Sequence, residues 1–149
     1  MALLETSRHK LPLLAAGQAH KELFHNEALA RIDVLIQPVV QSIEADPTNI
    51  VPSPGQAWLV GTGATEEWLG HDDEIAGWSD NGWLFIAPLQ HMHIYVESIG
   101  CLAVFRDSWQ IVPTIGNPAG GAVVDVEARA AIDSILAALR AQGLLDSAA

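Results

Sequence analysis

Residues 75–86 read IAGWSDNGWLFI. Apolar residues flank Asn81-Gly82, the strongest short-range hairpin signal, because a type I′ turn needs positive φ at both central positions. A hairpin turning there pairs Asp80 with Trp83 and Trp78 with Phe85. Trp78, Trp83 and Phe85 then share one face of the ribbon. The middle of the chain is therefore β-structured, and the open question is what its aromatic face meets.

Working outward, AWLVG (57–61) is strand-like, and TGATEEWLGHDD (62–73) reads as a loop. MHIYVES (92–98) and CLAVFRD (101–107) form a second pair across Ile99-Gly100. Ile99 resists positive φ, so this connection should exceed two residues. WQIV (109–112) closes the region. The order aliphatic-Ala-x-aromatic-x-Asp, a turn, then Trp occurs twice, at Ile75–Trp83 and Leu102–Trp109, 27 residues apart. Two copies suggest a meander of similar hairpins and are too few for a solenoid.

Helices flank this region. From Gln18 to Gln37, Phe24, Ala28, Ile32 and Leu35 recur at helical spacing, with Leu29 and Ile36 beside them, as one apolar stripe. Pro38 disfavours the α conformation at Gln37, so the helix should stop or kink there. VVQSIE (39–44) is a short strand, and ADPTNIVPSPG (45–55), with three prolines and a glycine, is a stiff connector. At the other end, PTIGNPAGGA (113–122) is a linker. The helix after it has clear ends: Asp125 as cap, Glu127 in the first turn, Arg140 in the last, and Gly143 at C′. Ala128, Ile132, Ile135 and Leu139 form a short a/d seam on it, and isoleucine at successive a and d positions favours three strands. Docking on the protein's own β region is the competing use of that seam.

The expected fold class is α+β: an N-terminal lead and helix (1–44), a small antiparallel β-meander or barrel-like domain built of hairpins (45–112), the linker (113–122) and a C-terminal helix that serves oligomerisation (123–149).

Composition narrows the function. Acids outnumber bases 18 to 7, a net charge of -11, which opposes binding to nucleic-acid phosphates and to anionic membranes. One cysteine, Cys101, excludes an intrachain disulfide framework. No stretch approaches the roughly 20 apolar residues of a membrane span. Glu5 and Pro12 break the pattern of a signal peptide, so a soluble protein made in the cytoplasm is expected.

Catalytic motifs are missing. There is no G-x-S-x-G, GTGAT lacks a following G-K-[ST], and Gly61-x-Gly63 lacks the third glycine of a dinucleotide fingerprint. The reading is a non-enzyme with no catalytic residue and no cofactor. His91-x-His93 is the most metal-like feature, since strand alternation puts both imidazoles on one face. A third ligand would come from His71, Asp72, Asp73 or Cys101, none at a diagnostic spacing, so ordinary strand histidines are preferred and no metal is assigned. HDDE (71–74) reads as a solvated acidic loop. The tryptophans remain: Trp58, Trp68, Trp78, Trp83 and Trp109. A small sheet buries little, so Trp78 and Trp83 are expected in its core. Indole also stacks sugars. Trp68, in a loop, is the best candidate for an exposed contact, with Trp78, Trp83 and Trp109 as further glycan candidates.

The motifs HNEAL (25–29), GATxxWxGH (63–71) and IAxWxxxGWxF (75–85), in that order, resemble a domain family of unknown biochemical function found in structural proteins of alphaproteobacterial prophages and gene transfer agents. The resemblance covers roughly residues 11 to 112. It departs after Pro88, where a Gly-Trp is usual and this chain has LQHMHIYV. It implies a virion component: a tail fibre, head spike or host attachment protein that assembles with other particle proteins and with itself. It brings no catalytic residue. The alternative function is a carbohydrate-binding module that recognises host surface polysaccharide, capsule or lipopolysaccharide.

Overall fold

The computed structural model describes residues 4–17, 20–112, 114–121 and 125–146. The expected helix start at Gln18, the linker ends Pro113 and Ala122, and Val123 and Val124 before the last helix lie outside them. The described residues form two helices and eight strands in two sheets, an α+β fold. They pack as two compact units, residues 1–89 and 90–149. The division falls within the stretch that the sequence presents as one β domain.

In the first unit, α1 (Lys21–Leu35) is capped at its end by Ile36, whose N–H bonds the Ile32 carbonyl, short of Pro38. The expected apolar stripe does not face inward. Phe24 is 78% exposed and Ile32 46%, whereas Asp33 and Val34 are buried. The reason is polar. The N-terminal lead folds over α1, and Asp33 accepts hydrogen bonds from Thr6 Oγ1 (2.7 Å), Arg8 N (2.9 Å) and His9 N (2.7 Å). The Arg8 guanidinium donates to the carbonyls of Val34 and Gln37, groups a helix end leaves unpaired. This lacing outweighs the periodicity and rotates the helix.

The chain then forms β1 (Val39–Val40), β2 (Ile43–Glu44), β3 (Ala57–Val60), β4 (Ile75–Ser79) and β5 (Gly82–Ile86). One sheet has the order β2-β3-β4-β5. Its strands are not all antiparallel, as expected, because β2 pairs with β3 in parallel. Parallel neighbours need a crossover of a dozen or more residues, and the proline-rich connector 45–56 supplies it. Nor does the sheet curl into a barrel: β2 and β5 remain its two ends, and four strands are far short of the about eight that close around packed side chains. Both faces are covered. The register places Ala57, Leu59, Ile75, Gly77 and Ile86 on one side, where Val34 of α1 rests over Gly77. A Cβ at Gly77 would lie 3.0 Å from Val34 Cγ2, so glycine permits the close approach. The other face carries Trp58, Ala76, Trp78, Trp83 and Phe85.

The β4–β5 hairpin differs from expectation by a slip. Trp78 pairs with Trp83 and Ser79 with Gly82, so Asp80 and Asn81 form the turn. Gly82 alone there has positive φ, 103°, the pattern of a type I turn closed by a glycine bulge rather than a type I′ turn. The Ser79 hydroxyl supports it, donating to the Gly82 carbonyl and accepting from Asn81 N–H. A two-residue slip keeps each side chain on its face, so the shared aromatic face survives.

The second unit contains β6 (His93–Val96), β7 (Cys101–Arg106) and β8 (Ser108–Ile111), an antiparallel meander, followed by α2 (Val126–Ala141). Val96 pairs with Cys101 across residues 97–100, a loop longer than two residues as Ile99 requires. The Asp125 carboxylate caps α2 at Ala128 N–H (2.8 Å). At its other end Gly143 has φ 67°. Gly143 N–H bonds the Arg140 carbonyl and Leu144 N–H bonds the Leu139 carbonyl, a Schellman motif. Leu102 N–H donates to the Gly143 carbonyl, tying the helix end to β7.

Candidate functional site

A groove of about 780 Å³ opens in the first unit beside β5. One wall is α1 with the N-terminal lead; the other is the hairpin and the loop before β4. The lead is held by Asn26, whose side chain both accepts from Leu14 N and donates to Leu14 O. Arg31 crosses from α1 to the Phe85 carbonyl (3.1 Å) and is also paired with Glu27 (3.0 Å) one turn away. His71 stacks flat on Phe85, centroids 3.6 Å apart and planes 5° apart, and its Nδ1 lies 2.8 Å from Glu74. Glu22, Asp80 and Asn81 complete the rim. Asn26, Glu27, His71, Asn81 and Phe85 fall within stretches already singled out in the sequence, but no spacing brings them to one groove; the i, i+4 pair Glu27/Arg31 is the one contact readable from spacing.

Two carboxylates fix the walls. Burial opposes ionisation of Asp33, but the hydrogen bonds from Thr6, Arg8 and His9 outweigh it and hold its pKa below the ordinary value. Asp72 is likewise lowered, by the N–H groups of Gly63 and Ala64, each at 2.9 Å. The HDDE run is thus a brace: Asp72 folds the loop back on itself, and His71 and Glu74 face each other.

That folded loop decides the fate of the tryptophans. Trp68 ends a short 3₁₀ turn, Glu66–Trp68, and is fully buried, not the exposed contact expected. It packs with Trp58, Val60, Ala64 and Ala76. Trp83 is the hub. It meets Trp58 at 5.7 Å, Trp68 at 5.1 Å and Trp78 at 4.8 Å, all edge to face, and its Nε1–H donates to Glu67 (2.9 Å). Trp68 has no face left for a sugar, whereas Trp78 and Trp83 are half-buried and pack edge to face. Trp109, in the second unit, is half-buried against Phe105 at 5.3 Å.

The remaining sequence candidates separate. His91 lies outside β6 with φ 67°, so strand alternation does not align it with His93 as expected. No group of three or more His, Cys, Asp or Glu among the described residues converges on one point. Cys101 is buried, and desolvation, with Asp146 adding to it, pushes its thiol pKa up, the opposite of an activated nucleophile. On α2, Ile132 is 44% and Ile135 58% exposed; Ala128 is exposed and Leu139 half-buried. The helix is anchored instead through buried Leu136 and through Arg140, which donates to Asn117 and to the Ile115 carbonyl. Among the described residues, no helix is long and apolar enough to cross a membrane.

No curated protein matches the chain in sequence. A family profile does match, over residues 25–110, from within α1 to within β8 and short of α2. Since that span is more than half of the 149 residues, the chain belongs to the family described as protein of unknown function (DUF2793).

Proposed function

We propose that this protein is a structural component of a phage-like particle: a tail fibre, head spike or attachment protein that assembles through α2 and presents the β-rich domain. It is made in the bacterial cytoplasm and joins other particle proteins, with no catalytic role. The observation that supports this is the outward seam of α2. Ala128, Ile132 and Ile135 are exposed on a helix that is already anchored by other residues. Isoleucine at these positions suits three helices packing knobs into holes. The resemblance of the 25–88 motifs to domains of particle proteins supports the setting.

Sedimentation equilibrium tests the assembly step. The protein is expected to form a symmetric oligomer, a trimer first, and Ile132→Asp with Ile135→Asp to return it to monomer. An unmutated chain that stays monomeric at high concentration overturns it. Immunolabelling of purified particles from the producing bacterium tests the setting; particles free of the chain count against it.

A further inference from the structure

The groove beside β5 is independent of the α2 seam, and its floor is backbone. β5 ends its sheet. Trp78 directs both backbone groups toward β3: its N–H bonds Gln56 O at 2.8 Å, and its carbonyl accepts from Gly55 N at 2.9 Å. Trp78 pairs with Trp83, so this is a non-hydrogen-bonded pair of the β4–β5 ladder, and the N–H and C=O of Trp83 point outward. Phe85 has the same parity, and its carbonyl is indeed met from outside by Arg31. The edge therefore offers Trp83 N–H, Trp83 C=O and Phe85 N–H, spaced as a further antiparallel strand would need.

Two layers rise beside this edge, α1 and the 71–74 loop, and the groove lies between them. Leu13, Leu23 and Leu84 give its walls apolar surface. Its charge selects the occupant. Glu22, Glu27, Glu74 and Asp80 line it, against Arg31, whose charge already meets Glu27. A second copy of β5 would bring two acidic rims together, in a chain of net charge -11. An anionic polysaccharide meets the same repulsion.

We propose that the β5 edge groove docks an extended, basic segment of a partner protein, which adds to the sheet beside β5. Main-chain hydrogen bonds give such an addition its affinity, and alternate side chains give it specificity. Those on one side reach the α1 wall and those on the other reach His71 and Glu74, so lysine or arginine on either side finds a carboxylate. The proposal goes beyond the particle reading and holds in whatever setting the protein works.

The test uses the full chain and three capped nine-residue probes: alternating lysine and threonine, alternating glutamate and threonine, and the lysine peptide with proline at its centre. Fluorescence anisotropy reads binding, and amide NMR shifts locate it. The lysine peptide is expected to bind and to shift the Trp83 and Phe85 amides. Central proline, which removes a main-chain donor, and Asp80→Lys should each weaken it about tenfold. Equal binding of the glutamate peptide overturns the charge argument, and equal binding of the proline peptide overturns strand addition. Failure of all three up to about millimolar concentration, or displacement of the lysine peptide by a neutral oligosaccharide that also shifts these amides, overturns the proposal. The Ile132→Asp, Ile135→Asp variant should bind the lysine peptide unchanged, which separates this result from any failure of assembly through α2.

Discussion

The β4–β5 and β7–β8 hairpins are built from the same local pattern and meet different fates. Each sets an aromatic residue opposite a tryptophan: Trp78 across from Trp83 at 4.8 Å, and Phe105 across from Trp109 at 5.3 Å. In the first, the loop 61–74 brings Trp68 over the pair, and Trp58 joins from β3. In the second, Phe105 and Trp109 meet edge to face and Trp109 is half-buried. The turns differ as well. The first places glycine at the strained position, φ 103°; the second places Asp107 there, φ 61°. A hairpin motif fixes which residues stand opposite each other. Whether they become core depends on what the rest of the chain lays over them.

The largest effect should come from removing the hub. Trp83→Ala is expected to cost about 3–5 kcal/mol, the range for deleting a large packed aromatic, whereas Trp109→Ala should cost about 1–2 kcal/mol, since a half-exposed pair loses less. Urea unfolding measures both, and equal losses would break the contrast.

Next is the acid response of the first unit. The Asp33 carboxyl has a folded-state pKa below its ordinary value of 3.8. Its contribution is therefore complete above that value and fades as pH falls through the lower folded-state pKa. Asp33→Asn should cost about 1–3 kcal/mol at neutral pH, because an amide cannot accept every donor gathered there, and should flatten the loss of stability below the ordinary value. An unchanged acid limb in that variant would remove Asp33 as the cause. The smallest effects sharpen the difference between turns. Gly82→Ala should cost about 1–2 kcal/mol through backbone strain alone, since no atom lies within 4 Å of the added Cβ. Asp107→Gly relieves strain but loses a bond from Gln90, and should fall within about 0.5 kcal/mol of zero.

These contrasts also mark how far the sequence could be read. The hairpins, the stop before Pro38 and both ends of α2 follow from local chemistry: turn residues, a proline, a capping aspartate and a C′ glycine. The inward face of α1 does not. Asp33 is turned in by Thr6, Arg8 and His9, and no periodicity carries information about partners that far along the chain. Trp68 reads as a loop tryptophan because it is one; its burial comes from Asp72 closing the loop onto Gly63 and Ala64. The groove was invisible for the same reason, since Glu22, Arg31, His71 and Asp80 converge only after α1 and the hairpin are placed.

The tryptophan hub has one more consequence, an optical one. Trp78 and Trp83 lie 4.8 Å apart with planes at 72°, a chiral pair of strong chromophores close enough for their transitions to couple. The folded protein should show an exciton couplet in circular dichroism and strongly shared excitation among its indoles. Trp109, packed against a phenyl ring, contributes none of that couplet. Loss of the signal therefore times the opening of the first unit, and the chain carries its own optical reporter of that event.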